Sequence, residues 1–256
     1  LATLTYRHHA FPWRGPPHPF VQRLLPSSDG TAVAFRSPAA GALHALVADH
    51  VVDGRVVFPG SAYLEAARAA GDVARRFDGP SAKLWHKPDD AGPVTEADLA
   101  VNELLHQRLT QVRPDYGWLS EETEDGATRL QTQRVFVIDP IDGTRSFIKG
   151  DDTWAHALAI ADRGQITAAV VYLPMLDKLY SAALGQGAFL NGQAIAATNN
   201  QSLTKAQVLT TRTNLEPQHW RGAVPVFQRH HRPSIAYRLA LVAEGRFEAM
   251  FTFRNS

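Results

Sequence analysis

The feature that most constrains this chain is the apolar run Val135-Phe136-Val137-Ile138, followed at once by Asp139-Pro140-Ile141-Asp142-Gly143-Thr144. Four apolar residues are too few for a helix, and a run this short that meets a carboxylate reads as a buried strand delivering Asp139 at its end. Pro140-Ile141 separate the two aspartates and Gly143 frees the backbone to turn, so both carboxylates can face one cavity. Two carboxylates that close repel unless a cation lies between them. Hard oxygen ligands without Cys or His point to magnesium, which keeps octahedral geometry and retains waters from which a nucleophile can be drawn. Glu121, within Leu119-Ser120-Glu121-Glu122-Thr123, adds a third acidic group from a preceding loop. The Thr144 hydroxyl, hydrogen-bonded to a carboxylate, could orient such a water, and Asp98 is its candidate partner. Taken singly, each carboxylate would suit a solvated turn; the combination favours a metal site.

Composition limits the alternatives. A chain of 256 residues with 45% hydrophobic content can bury a core as one large domain or two small ones. Its 26 basic and 25 acidic residues nearly cancel, so no broad cationic field favours a nucleic acid polymer or an anionic membrane. Any phosphate chemistry must therefore be local. The lack of Cys removes disulfides, thiolate metal sites and thiol nucleophiles, and fits a reducing compartment, with the cytoplasm as the default. No apolar stretch of about 18 residues is present and the N-terminus lacks the order of a signal peptide. Leu1 and Ser256, the latter directly after the apolar run 247–253, both read as cuts.

Along the chain, residues 1–40 are rich in Pro, His and Arg and lead into a short strand at 31–35. Between Ala42 and Phe58 the apolar runs on either side of Asp53-Gly54 suggest two strands joined by a turn. Ser61 is the expected N-cap of a helix ending near Asp78-Gly79-Pro80. Thr95-Glu96-Ala97-Asp98 opens a second helix, with Leu99, Leu104, Leu105 and Leu109 as its apolar stripe. Strands are expected at 155–161, 166–173, 178–183 and 187–190, with turns at Arg163-Gly164 and Asn191-Gly192. After 207–211, residues 234–244 read as helix and 247–253 as strand. The order is α+β with a meandering sheet.

From Gly117 onward, Leu-Ser-Glu-Glu and then Val-Ile-Asp-Pro-Ile-Asp-Gly-Thr-Arg-Ser-Phe resemble the inositol monophosphatase family, including its 3′(2′),5′-bisphosphate nucleotidase branch. The resemblance runs from about Ala66 to the end. Val94-Thr95-Glu96-Ala97-Asp98 is similar to that family's Thr-x-x-Asp element, and Gly185–Gly192 to its Gly-rich β segment. The resemblance implies a layered α/β sandwich and a magnesium-dependent phosphomonoesterase of small phosphorylated metabolites. It implies that Glu121, Asp139 and the Ile141 carbonyl hold one magnesium, and that Asp139 and Asp142 hold a second. Asp98 and Thr144, with Glu121, would position the nucleophilic water. Gly143 and Thr144 would present backbone N–H groups to the phosphate. Ser234 and Ala236 fall where the family touches the organic part of its substrate; a helix N-cap is the equal alternative for Ser234. The family ends this region with a Trp-Asp-x-Ala-Ala-Gly segment whose Asp completes the second metal site. Here the chain stops first, so a C-terminally incomplete domain with weak or absent turnover is expected.

The N-terminal part resembles another family. His50-Val51-Val52-Asp53-Gly54-Arg55-Val56-Val57-Phe58-Pro59 fits H-x-x-x-G-x-x-x-x-P, and with His18-Pro19 upstream it is similar to the opening of a polyketide synthase dehydratase domain. That resemblance implies part of a double hot-dog fold with His50 as catalytic base, inert here without the acidic partner of a second half. The chain then divides into residues 1–62, a linker plus partial dehydratase-like segment, and 63–256, the phosphatase-like domain, with the join within Tyr63–Gly71. His8-His9 and His230-His231 are expected to be solvated. The five tryptophans, Trp13, Trp85, Trp118, Trp154 and Trp220, are expected in packing roles. Three functions stay open: the phosphatase, a dehydratase fragment, and a non-catalytic metal-binding or scaffold protein, with a homodimer also open. The substrate leans toward the nucleotidase branch, beside inositol phosphates, fructose 1,6-bisphosphate and histidinol phosphate.

Overall fold

The computed structural model describes four short strands within residues 23–56, together with residues 60–87 and 92–253. It divides into two compact units, Leu1–Leu46 and Val47–Ser256. In the first, β1 (Arg23–Leu25) and β2 (Ala34–Arg36) pair antiparallel, with Leu24 opposite Phe35. The strand expected at 31–35 is thus shifted toward Arg36. In the second unit, β3 (Val51–Val52) and β4 (Arg55–Val56) form the antiparallel pair expected around Asp53-Gly54. His50 and the N-terminal histidines lie outside the described residues, and the hot-dog-like expectation is not established by these short pairs.

Helix α1 (Gly60–Ala74) has a face of small residues, with Ala66, Ala67, Ala70 and Ala74 buried beside Tyr63. Gly71 belongs to this face because a Cβ there would stand 2.7 Å from the Tyr172 ring. The small side chains let the helix backbone lie close against the sheet. The helix ends earlier than expected, at Ala74, and turns carry the chain through Phe77.

The hairpin of β5 (Leu84–His86) and β6 (Pro93–Thr95) runs directly into α2 (Glu96–Val112). Thr95 ends the strand and caps the helix. Its hydroxyl accepts from the Asp98 N–H at 3.4 Å, while the Asp98 carboxylate accepts from the Thr95 N–H at 2.8 Å. Two otherwise orphaned N–H groups are satisfied reciprocally. The buried stripe of α2 is Ala97, Val101, Leu105 and Leu109. Leu99, expected in that stripe, is 43% exposed; two residues on from Ala97 is about 200° around the helix, on the opposite face.

Seven strands form one sheet in the order β13-β12-β11-β10-β9-β8-β7. These are β7 (Gly117–Ser120), β8 (Arg134–Asp142), β9 (Ala155–Asp162), β10 (Gln165–Leu173), β11 (Lys178–Ala183), β12 (Gly187–Leu190) and β13 (Gln193–Ile195). From β8 onward it is an antiparallel meander, as the alternation and turn pairs predict, and only β7 joins parallel, to β8. Phe136, Ile138, Leu158, Ile160, Val170 and Tyr172 share a core with α1 and α2. A second core holds Ala155, Leu173 and Tyr180 with Leu209, Tyr237, Ala240, Leu241 and Phe247. The latter residues come from β14 (Gln207–Leu209), α4 (Ile235–Ala243) and the stretch before β16 (Ala249–Met250). Strands β14, β15 (Gln228–His230) and β16 form a separate parallel sheet with β14 central. The fold is a layered α+β arrangement with apolar cores on both sides of the main sheet. The strand expected over 247–253 is limited to the two residues of β16. His230, expected in solvent, is half-buried with its ring 5.2 Å from Phe247. Trp154 is buried, whereas Trp85 is 46% exposed.

Candidate active site

Strand β8 carries the acidic motif, but Asp139 is not at its end. Pairing with β9 runs through Asp139↔Ala157 and resumes at Asp142↔Ala155, so three steps along β8 match two along β9. Pro140, which has no N–H for the ladder, lies in this bulge. The bulge brings Asp139, Ile141 and Asp142 to one region of the strand. Gly143 follows with φ +100°, a left-handed conformation that a side chain would strain, and caps the short helix α3 (Thr144–Ile148). The Gly143 carbonyl accepts from Ser146 N at 2.7 Å and from Phe147 N at 3.1 Å.

Thr144 is the first residue of α3. Its hydroxyl lies 3.1 Å from Asp98 Oδ1 and 3.1 Å from the Ile141 carbonyl. Asp98 Oδ2 also accepts from the Thr95 hydroxyl at 2.5 Å. Asp98 is fully buried, and that burial raises its pKa against the opposing effect of its hydrogen bonds from Thr95 and Thr144. The partner expected for Thr144 is therefore in place.

Asp142 Oδ2 accepts from the Ser234 hydroxyl at 2.5 Å and from Ala236 N at 2.6 Å. Ser234 is also the N-cap of α4, accepting from Tyr237 N at 2.9 Å. Ser234 is thus the N-cap of α4, the alternative given for it, and together with Ala236 it bonds Asp142 of the site. Burial raises the Asp142 pKa, against the lowering effects of Ser234, Ala236 and the Arg238 charge.

Asp139 is the most perturbed carboxyl of the group. Burial first, then the charges of Glu121 and Asp142, push it up to about 9. Its Oδ1 is sealed from solvent with no hydrogen-bond partner. Glu121 lies within hydrogen-bonding reach of Asp139, and its N–H donates to the Ile138 carbonyl at 3.1 Å. The Glu121 carboxylate is also drawn to Lys87, whose ammonium stands 2.9 Å from it and 2.8 Å from Glu122. Burial lowers the Lys87 pKa, but its bonds to Glu122 and Glu121 more than offset this and raise it.

Among the described residues, no three Asp, Glu or His side chains converge closely enough to ligate one ion as they stand. The expected trio of Glu121, Asp139 and Asp142 is brought side by side without closing on a point. Lys87 engages Glu121, and Ser234 with Ala236 engages one oxygen of Asp142. The donor set nevertheless fits a hard cation. An unpartnered buried carboxylate oxygen beside two further carboxylates, with the Ile141 carbonyl within the same bulge, is what such an ion would relieve.

Three participants lie beyond the sequence reading. Lys87 and Glu122 carry no local signal for their pairing across 35 residues. His156 is fully buried with Nδ1 on the Pro140 carbonyl. Alternation places it on β9 but cannot place it opposite a bulge.

The model of the inositol monophosphatase family matches residues 60–256, and the chain belongs to that family. A second model, the polyketide synthase dehydratase domain, matches residues 18–83. An inositol-1-monophosphatase of Rhizobium meliloti (strain 1021) is 34% identical over 173 residues, 62% of each chain. A histidinol-phosphatase of Mycobacterium tuberculosis (strain ATCC 25618 / H37Rv) is 39% identical over 127 residues, 49% of this chain and 48% of that one. The crystal structure of the extragenic suppressor protein suhB from Bartonella henselae superposes with a TM-score of 0.62 at 28% identity, covering 73% of this chain and 75% of that chain. The chain spans 48% to 62% of the length of the two curated relatives just named. Among the described residues, no helix is long and apolar enough to cross a membrane.

Proposed function

We propose that this chain is a magnesium-dependent phosphomonoesterase acting on a small phosphorylated metabolite. The carrying observation is Asp139, whose buried carboxylate faces Glu121 and Asp142 with one oxygen unpartnered. Glu121, Asp139, the Ile141 carbonyl and Asp142 would hold the metal, which when bound supplies positive charge to the phosphate and acidifies a water. The remaining steps belong to the chain's own groups. The Thr144 hydroxyl has one proton and two acceptors; donating it to Asp98 Oδ1 leaves Oγ1 free to accept from the attacking water. Asp98, held by Thr95, would receive one water proton through Thr144 as the water oxygen bonds to phosphorus and the ester P–O bond to the organic part breaks; the departing alkoxide takes a proton from solvent, and Asp98 returns its own to solvent. Gly143 and Thr144 turn the backbone toward the phosphate, and Ser234 and Ala236 hold Asp142 while their helix end borders the substrate's organic part.

The names of the relatives support inositol 1-phosphate and histidinol phosphate as first substrates to test, ahead of the nucleotidase-type substrate toward which the sequence leans. The overlap of the two family matches at residues 60–83 supports a boundary near residue 62. A cytoplasmic location accords with the absence of Cys.

The test is phosphate release from inositol 1-phosphate, histidinol phosphate and 3′-phosphoadenosine 5′-phosphate, with magnesium and with chelator. Release that requires magnesium and disappears in Asp139→Asn supports the reading. Magnesium binding without release transfers the chain to a metal-binding scaffold. Neither leaves the dehydratase-like segment, supported by the match to residues 18–83, as the reading to pursue.

A further inference from the structure

The bulge in β8 creates a problem that the ladder cannot solve. Between Asp139↔Ala157 and Asp142↔Ala155, neither Pro140 nor Ile141 has a pairing partner on β9. Pro140 is buried and lacks an N–H, and its carbonyl still needs a donor away from water. The residue opposite the gap is His156, between Ala155 and Ala157, and its Nδ1 meets the Pro140 carbonyl. A carbonyl only accepts, so Nδ1 carries the proton and donates. Nε2 is then a bare lone pair, which accords with its burial without a partner, because an orphaned N–H would cost more. The ring is held by Trp154, edge-on with centroids 5.5 Å apart, and by Tyr172 at 6.4 Å. Burial also lowers its pKa to about 4, so it stays neutral with that single donor near neutral pH.

We propose that His156 is a positioning residue for the metal-binding bulge: its Nδ1–H replaces the missing ladder bond at Pro140 and thereby holds Asp139, Ile141 and Asp142 in their mutual spacing. The role is that of a group outside the ligand set that orients the ligands, and loss of such groups typically weakens metal affinity by about 10–100-fold. The inference rests on the metal-site reading above.

The test compares His156→Asn, His156→Gln and the wild-type chain by calorimetric titration with magnesium, with Leu158→Ala as a packing control on the same strand. Asn places an N–H donor near the position of Nδ1, whereas Gln places it near Nε2. Magnesium affinity within about threefold of wild type is expected for Asn, with a loss of about 10-fold or more for Gln. All three variants lower the melting temperature, but Leu158→Ala leaves magnesium affinity unchanged. Equal affinity for Gln and wild type overturns the proposal, as does equal weakening in Asn, Gln and Leu158→Ala. The tautomer, read by two-bond nitrogen–proton correlation NMR in magnesium-free wild-type protein, is a second readout. Nδ1–H is expected, and Nε2–H overturns the anchor whatever the metal affinity. A wild-type chain that shows Nδ1–H yet binds no magnesium overturns the metal-site reading and the positioning role with it, whereas a Gln variant that binds magnesium as the wild type does overturns the positioning role alone and leaves the metal site intact.

Discussion

The Thr144 hydroxyl stands 3.1 Å from the Asp98 carboxylate, joining two residues 46 positions apart in the chain. Asp98 performs two tasks at once, closing the capping box of α2 with Thr95 and receiving Thr144 on its other oxygen. The helix cap thereby fixes in place the carboxylate that the proposed mechanism uses as proton acceptor.

Thr144→Ala removes the relay and leaves Asp98 where it is. Phosphate release is expected to fall by about 10²–10⁴-fold in kcat with little change in KM, the range for loss of a positioned proton-transfer group. Thr144→Ser, which keeps the hydroxyl, should retain activity within about 10-fold. Steady-state kinetics on the best substrate checks this, and equal kcat values for Ala and Ser would remove Thr144 from the chemistry.

On the proposed metal site, Lys87 would compete with the cation for Glu121. Lys87→Ala should therefore tighten magnesium binding severalfold, since the ammonium 2.9 Å from Glu121 is gone. The same change strands the buried Glu122 carboxylate without its ion pair, at a cost of about 1–3 kcal/mol in stability. Calorimetry and chemical denaturation read the two effects separately. Unchanged or weaker magnesium binding would contradict the competition.

His156 gives the stability a pH dependence of fixed sign. Its folded pKa, about 4, lies below the unfolded value of 6.5 because of burial. The unfolded chain therefore binds the extra proton first, and this contribution is fully present above 6.5 and lost as the pH falls toward 4. A shift of this size corresponds to about 3 kcal/mol. Raised carboxyl pKa values at Asp98, Asp139 and Asp142 act in the opposite direction, so the contribution is isolated as the difference between wild type and His156→Asn. Denaturation at a series of pH values should show that difference shrinking as the pH falls through this window. A constant difference would place His156 in a solvated or charged environment.

The main sheet was legible because its signals are local: alternating runs bounded by Arg163-Gly164 and Asn191-Gly192 define strands and hairpins without reference to the rest of the chain. The acidic residues were legible for the same reason, since Asp139 through Thr144 are contiguous. What escaped depends on three-dimensional pairing. The sequence places Asp139 at a strand end, because nothing in Pro140-Ile141 announces that β8 continues past a bulge to Asp142. Leu99 reads as part of a leucine stripe, but the helix buries the smaller Ala97 and Val101 instead, which the closely packed layer can accommodate. Lys87 and His156 carry roles set by partners in other elements, to which neither composition nor spacing points.

The measurement that bears most directly on the whole account is magnesium titration of the wild-type chain and Asp139→Asn, with the melting temperature followed in parallel. The wild type should bind magnesium and melt at a higher temperature with it than in chelator. Asp139→Asn should melt in chelator no lower than wild type, because near neutral pH the amide replaces a side chain that burial and its acidic neighbours already keep uncharged, and should gain nothing from magnesium. Equal magnesium binding by the two proteins would contradict the assignment of Asp139 as the centre of the site.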